Sequence, residues 1–183
     1  MLLLAQRVGP EGRVVGIDLS EEMLRVARHK ASAAGLGSSC RLVVGNAEAL
    51  ALPDERFDAA TIGFGIRNTV HPEAALGEIW RVLRPGGRLA VLEFSTPRNG
   101  LLRGPYDWYS FTLMPWLGRL ASRHSDAYRY LPISIRHWPA QEAFAQMMAG
   151  AGFVGVQYEN LLTGVAAIHV GGRPLGSAGT VPT

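Results

Sequence analysis

Arg13-Val14-Val15-Gly16-Ile17-Asp18-Leu19-Ser20-Glu21-Glu22-Met23-Leu24 is the stretch whose reading decides the fold. A short β-branched run ends in a carboxylate, and Ser20 follows as a helix N-cap with acids in the first turn. Met23, Leu24, Ala27 and Ala31 then recur at helical spacing, and Gly35 and Gly37 supply a stop. Working outward, Arg41-Leu42-Val43-Val44-Gly45 reads as a second strand and Phe57-Asp58-Ala59-Ala60-Thr61-Ile62-Gly63-Phe64 as a third. Pro72 opens a helix with Ala75, Leu76, Ile79, Val82 and Leu83 on its apolar face, and Arg84-Pro85-Gly86-Gly87 turns the chain into a strand over 88–94. Strand–helix–strand alternation of this kind predicts a parallel sheet wrapped by helices. Residues 140–151 read as a further helix with Phe144, Met147 and Met148 on one side. The runs 153–159 and 164–170 read as adjacent strands that pair antiparallel.

The chain has 183 residues, 48% of them hydrophobic, which fits one domain and excludes a disordered chain. The expected domain spans 1–170, with an insertion at about 96–138 and a flexible tail over 171–183 that is rich in Gly, Pro, Ser and Thr. The insertion holds three of the four tryptophans and four of the five tyrosines, so it reads as a lid or substrate wall, or as a subunit contact. One cysteine, Cys40, excludes an internal disulfide and favours a reducing compartment. No apolar run approaches the roughly 20 residues that span a bilayer, and Met1-Leu2-Leu3-Leu4-Ala5 is too short for a signal h-region. A net charge of +3 reads as a solvated surface or as weak attraction to an anionic membrane face. No Lys/Arg cluster points to nucleic acid.

Asp18 ends a predicted parallel strand, where open α/β sheets bind ligands. An acid there accepts hydrogen bonds from both hydroxyls of a ribose; it reads equally as a helix N-terminal charge. Asn46-Ala47-Glu48 follows the second strand. Its amide can bond an adenine edge while the small neighbour admits the ring, and an ordinary turn Asn is the alternative. In Gly63-Phe64-Gly65-Ile66-Arg67-Asn68 two glycines allow close backbone approach. Arg67 and Asn68 offer donors there, or Arg67 serves as a surface ion-pair partner. His71, His124 and His137 are proton acceptors near neutral pH but have neither a paired nucleophile nor metal-ligand spacing, so no metal site is expected. No nucleophile elbow, Walker loop or zinc pattern occurs.

Together these stretches resemble the ubiquinone/menaquinone biosynthesis C-methyltransferase family. The matching words are Gly16-Ile17-Asp18-Leu19-Ser20 with Glu22-Met23-Leu24, Gly45-Asn46-Ala47-Glu48-Ala49-Leu50, and Phe64-Gly65-Ile66-Arg67-Asn68. They continue with Trp80-Arg81-Val82-Leu83-Arg84-Pro85-Gly86-Gly87, Leu92-Glu93-Phe94-Ser95, Asp126-Ala127-Tyr128-Arg129-Tyr130-Leu131 with Ser134-Ile135, and Leu162-Thr163-Gly164-Val165-Ala166-Ala167-Ile168-His169. The Arg-Pro-Gly-Gly turn is common among class I methyltransferases, whereas the Phe-Gly-Ile-Arg-Asn and Tyr-Arg-Tyr-Leu words are far more specific. The resemblance covers nearly all of residues 7–170.

It implies a Rossmann-like class I methyltransferase, mostly parallel with an antiparallel C-terminal strand and a helical aromatic insertion. It implies S-adenosylmethionine as cofactor and C-methylation of a prenylated hydroquinone. Asp18 matches the family's ribose-binding acid, and Asn46 and Ala47 its adenine-side contact. Gly63 stands where the family often has a serine that touches the cofactor. Arg67 and Asn68 match the pair beside the reacting centre, with Arg67 stabilising a developing phenolate and Asn68 orienting that oxygen or a water. The proton acceptor is unassigned. Tyr106, Trp108, Tyr109, Trp116, Tyr128 and Tyr130 would wall the ring and first isoprene units. A cytoplasmic enzyme with peripheral contact at the inner membrane face, and a homodimer, are the implied setting. The family also begins with a strand and a D-x-x-x-G-x-G loop, placed between the strands that end at Asp18 and Phe64. Here that strand is expected upstream of Met1, through a start site set too far downstream. The alternatives are a catalytically weak partner subunit in quinone synthesis, or a methyltransferase for another small lipid or phenol.

Overall fold

Ser20 caps the helix that the opening stretch predicts: its Oγ accepts from the Met23 N–H at 3.2 Å. The computed structural model describes residues 1–95, 134–135 and 138–176. The expected aromatic insertion, including Tyr106, Trp108, Tyr109, Trp116, Tyr128 and Tyr130, lies outside the described residues, as do His124 and His137. The described chain divides into two compact units, 1–52 and 53–183.

In the first unit a short helix α1, Leu2–Arg7, precedes strand β1, Val14–Asp18, helix α2, Glu21–Ala33, and strand β2, Cys40–Val44. β1 and β2 pair in parallel, with Asp18 opposite Val44. That pairing requires a crossover, which α2 supplies. The helix buries Leu24 and Ala31, and Met23, placed on the same face by the spacing argument, is 60% exposed. Met23 is the residue whose N–H meets the cap, so it sits in the first turn, where the inward stripe has not yet begun. Gly35 does end α2, at φ +70°: its N–H reaches the Ser32 carbonyl and Leu36 N–H reaches back to Ala31 at 2.9 Å. This is the paired Schellman arrangement, and a left-handed residue is what it requires.

In the second unit β3, Phe57–Gly63, leads through a 3₁₀ turn, Ile66–Asn68, to helix α3, Pro72–Val82, and strand β4, Leu83–Phe94. Helix α4, Gln141–Gly150, and strands β5, Val154–Leu161, and β6, Ala166–Gly172, complete it. The sheet order is β3-β4-β6-β5. β3 and β4 are parallel, and β6 runs antiparallel to both β4 and β5. α3 buries Ala75, Leu76, Ile79 and Val82 against this sheet's Leu83, Leu89 and Val91, all fully inaccessible or nearly so. Phe144 and Met148 of α4 are buried, while Met147 is only half-buried.

Residues 171–173, the first of the glycine-rich end, depart from the flexible tail that its composition predicts. Gly171 and Gly172 are strand residues opposite Leu89 and Arg88. Arg173 then closes on the Arg-Pro-Gly-Gly turn: Gly86 N–H donates to its carbonyl and its own N–H donates to Gly87. Small residues suit this strand because neighbours crowd it; a Cβ at Gly171 would lie 3.1 Å from Phe153 Cβ and 3.2 Å from Val156 Cγ2.

Candidate functional site

The sequence-predicted residues fall into two groups, each at the carboxyl ends of its own parallel strand pair. In the first unit Asp18 is exposed at the end of β1. One carboxylate oxygen accepts the Ser20 N–H at 2.8 Å, which orients the group and leaves the other oxygen without a partner among the described residues. Next to it, Gly45 N–H donates to the Asp18 carbonyl at 3.1 Å, which sets Asn46 just beyond the neighbouring strand end. Asn46 makes the turn contact expected of its residue type: its Oδ1 accepts from Glu48 N–H at 3.0 Å, and Ala49 N–H closes on its carbonyl. Its Nδ2 amide has no partner among the described residues. The turn consumes the acceptor and leaves the amide donors for other contacts. Ala47, half-buried, follows directly.

The second group begins at Gly63, the last residue of β3. It is exposed, and a Cβ placed on it would meet nothing within 4 Å. The next residue carries the strain: Phe64, not either flanking glycine, adopts the left-handed conformation, at φ +55°. A bulky residue there costs roughly 1–3 kcal/mol unless its surroundings impose it. They do so here through Phe64 N–H to Leu92 carbonyl at 2.8 Å, Arg67 Nη1 to Phe64 carbonyl at 2.7 Å, and ring packing on Phe94 at 4.5 Å. The 3₁₀ turn that follows buries Ile66, half-buries Arg67 and exposes Asn68.

The sequence alternative for Arg67, a surface ion-pair partner, is right about the pairing and wrong about the surface. The Arg67 side chain is 8% exposed and its Nη1 lies 2.7 Å from Glu93 Oε1, on a side chain that is 2% exposed. Arg67 Cζ sits 5.2 Å from the Phe94 ring centroid. Its Nε–H is buried with no hydrogen-bond partner among the described residues, and so is the Ser95 hydroxyl at the end of β4. Glu93 is the residue that sequence reasoning missed as a functional candidate. A carboxylate within the apolar run Leu89-Ala90-Val91-Leu92-Glu93-Phe94 was the available signal.

His169 is buried on β6. Its Nε2 lies 2.9 Å from the Gln141 carbonyl, which can only accept, so Nε2 carries the proton and Nδ1 has no partner among the described residues. Desolvation lowers its pKa from the ordinary 6.5, and the bond to Gln141 opposes this in part. It packs edge-on to Phe144 at 4.9 Å. Among the described residues no group of His, Cys, Asp and Glu could hold a metal ion, and no helix is long and apolar enough to cross a membrane.

The fold is the Rossmann-like one of class I methyltransferases. Over 96% of this chain and 70% of the other, it superposes on the cyclase SpnF with a TM-score of 0.70 at 20% identity. Over 96% and 87%, it superposes on an S-adenosylmethionine-dependent methyltransferase of Methanosarcina mazei with a TM-score of 0.64 at 18% identity. One of those two solved proteins is a cyclase, so the fold does not by itself define the reaction. The family model described as the ubiE/COQ5 methyltransferase family matches residues 1–173, and the chain belongs to that family. It is 48% identical over 167 residues to the ubiquinone/menaquinone biosynthesis C-methyltransferase UbiE of Pseudomonas fluorescens, covering 91% of this chain and 65% of that one. It is 47% identical over 173 residues to the UbiE protein of Azotobacter vinelandii, covering 94% and 68%. The chain thus spans about 65% of the length of the first of these curated relatives.

Proposed function

We propose that this chain carries out S-adenosylmethionine-dependent C-methylation of a prenylated hydroquinone in menaquinone or ubiquinone biosynthesis. The observation that carries the reading is 48% identity across 91% of the chain to a protein bearing that activity in its name. The residues present suit the cofactor in kind. Asp18 has one oxygen fixed and the other open, as a ribose diol needs. Asn46 offers an amide donor beside the small Ala47, as an adenine edge needs. Gly63 leaves open space at its strand end.

When bound, the cofactor supplies an electrophilic methyl group on a sulfonium sulfur. The acceptor is a ring carbon, made nucleophilic when a neighbouring hydroxyl is polarised or loses its proton. Arg67 stays protonated and so serves as donor and not as base. Its Nε–H and the Asn68 amide are the donors this reading aims at the hydroquinone oxygen, where they favour the phenolate formed when the hydroxyl gives its proton to a water or a histidine, and that phenolate makes the ring carbon nucleophilic. Orientation of carbon and methyl in line supplies several kcal/mol more, up to about 7–11 in ideal cases. No covalent intermediate on the protein is required. The prenyl tail of such a substrate resides in a membrane, so peripheral contact with the cytoplasmic face accompanies the reading, as does a homodimer.

Incubation of the protein with methyl-labelled S-adenosylmethionine and short-prenyl demethylated naphthoquinol or benzoquinol tests it, with products read by mass spectrometry. Label on a ring carbon of either quinol is the expected result. Label transfer to another phenol or lipid alone assigns a different substrate, and no transfer with no cofactor binding favours a partner subunit.

A further inference from the structure

We propose that Glu93 is a positioning residue for the proposed methyl transfer: it fixes the Arg67 guanidinium and cancels its charge, so that the substrate hydroxyl meets an oriented N–H and not a free cation. This rests on the role given to Arg67 under Proposed function.

The geometry around Glu93 is that of a bracket. Its Oε1 accepts Arg67 Nη1 at 2.7 Å and also the Phe94 N–H at 2.8 Å, so the carboxylate is held by the strand that bears it. Its Oε2 faces the Arg67 backbone N–H at 3.4 Å. Arg67 Nη1 is shared with the Phe64 carbonyl at 2.7 Å. One buried carboxylate therefore ties the end of β4 to the turn after β3 and sets the plane of the guanidinium. The Arg67 Nε–H is buried without a partner among the described residues. Buried donors are nearly always satisfied, so an orphan on a side chain this constrained marks a place for a ligand acceptor.

Charge balance then narrows the acceptor. A lone buried guanidinium would hold a preformed anion such as a carboxylate or phosphate. Paired with Glu93 it presents a directional donor with no net charge, which suits a neutral phenolic hydroxyl whose charge develops only during reaction.

The test compares wild type, Glu93→Gln, Arg67→Met and the double variant Arg67→Met/Glu93→Leu. Two readouts are used: methyl transfer to the demethylated quinols, and hydrogen exchange of the Arg67 Nε–H followed by ¹⁵N NMR. In Glu93→Gln, kcat is expected to fall about 10- to 100-fold. The KM for S-adenosylmethionine is expected to stay within about twofold, and Nε–H exchange to accelerate. The double variant restores an uncharged, packed pair; it is expected to melt near wild type yet stay as inactive as Arg67→Met alone. Wild-type kcat in Glu93→Gln, or in the double variant should the single one fail to fold, overturns the proposal. So does unchanged Nε–H exchange in Glu93→Gln. If wild type itself transfers no methyl, the proposed function fails, and the exchange measurement still decides whether Glu93 sets Arg67.

Discussion

The Arg173 guanidinium stacks over the Trp80 ring, with 3.8 Å between Cζ and the ring centroid. From there its Nη1 donates to the carbonyls of Trp80, Arg81 and Leu83 at 3.0, 3.1 and 2.6 Å, and its Nη2 meets Glu55 at 2.5 Å. The last carbonyls of α3 have no partner within the helix, so a cation supplied from the far end of the chain closes that helix.

Arg173→Ala is therefore expected to destabilise the fold by about 2–3 kcal/mol, the scale of charge-assisted hydrogen bonds lost from a mostly buried group. Arg173→Lys should recover little, because one ammonium cannot both stack and fork to several oxygens. Urea denaturation of the three proteins checks this; equal midpoints for wild type and Arg173→Ala would contradict it.

Asp18→Ala should weaken S-adenosylmethionine binding by roughly 10- to 100-fold, the equivalent of losing charge-assisted bonds to a diol. Titration calorimetry reads it. Far-UV circular dichroism serves as control, because Asp18 also accepts the Ser20 N–H at the start of α2.

Gly63→Ser is expected to leave stability within about 0.5 kcal/mol, since the added Cβ meets no atom within 4 Å. Family resemblance places a cofactor-contacting hydroxyl at this position, so binding should tighten by about 0.5–1.5 kcal/mol. Affinity equal to or weaker than wild type argues against a cofactor contact at the end of β3.

His169 makes stability depend on pH in a defined direction. Burial depresses its pKa below 6.5, so above that value the imidazole is neutral both folded and unfolded. As pH falls through 6.5 the unfolded chain takes up a proton that the folded chain refuses. Stability drops, and the drop levels off below the depressed folded value. Urea melts at pH 8, 7, 6 and 5 should show the loss in wild type and a shallower one in His169→Gln. Parallel curves would remove His169 from the acid sensitivity.

Local signals in the sequence were sufficient for some of this architecture. Ser20, Gly35 and Pro72 each act on a helix end within a few residues, and alternation of strands with amphipathic helices is enough to imply parallel pairing. The placement of Asp18 and Asn46 at strand ends is legible because a strand end followed by a cap or turn is itself a local pattern. Glu93 was not, because its burial depends on Arg67, 26 positions away. Phe64 was missed as the strained residue because two adjacent glycines were the more obvious carriers of unusual backbone. Arg173 sits in a composition typical of loose ends, and partners ninety or more positions earlier reveal its role.

The order β3-β4-β6-β5 has a consequence for biosynthesis. The strand made last is an interior one, flanked on both sides by strands synthesised before it. Until residues 166–172 leave the ribosome, β4 and β5 lack the strand that joins them, and each shows a bare hydrogen-bonding margin on that side. The sheet is thus completed only once β6 has emerged and inserted between its two neighbours, and a stop codon placed shortly before Ala166 would release a chain with two sticky borders.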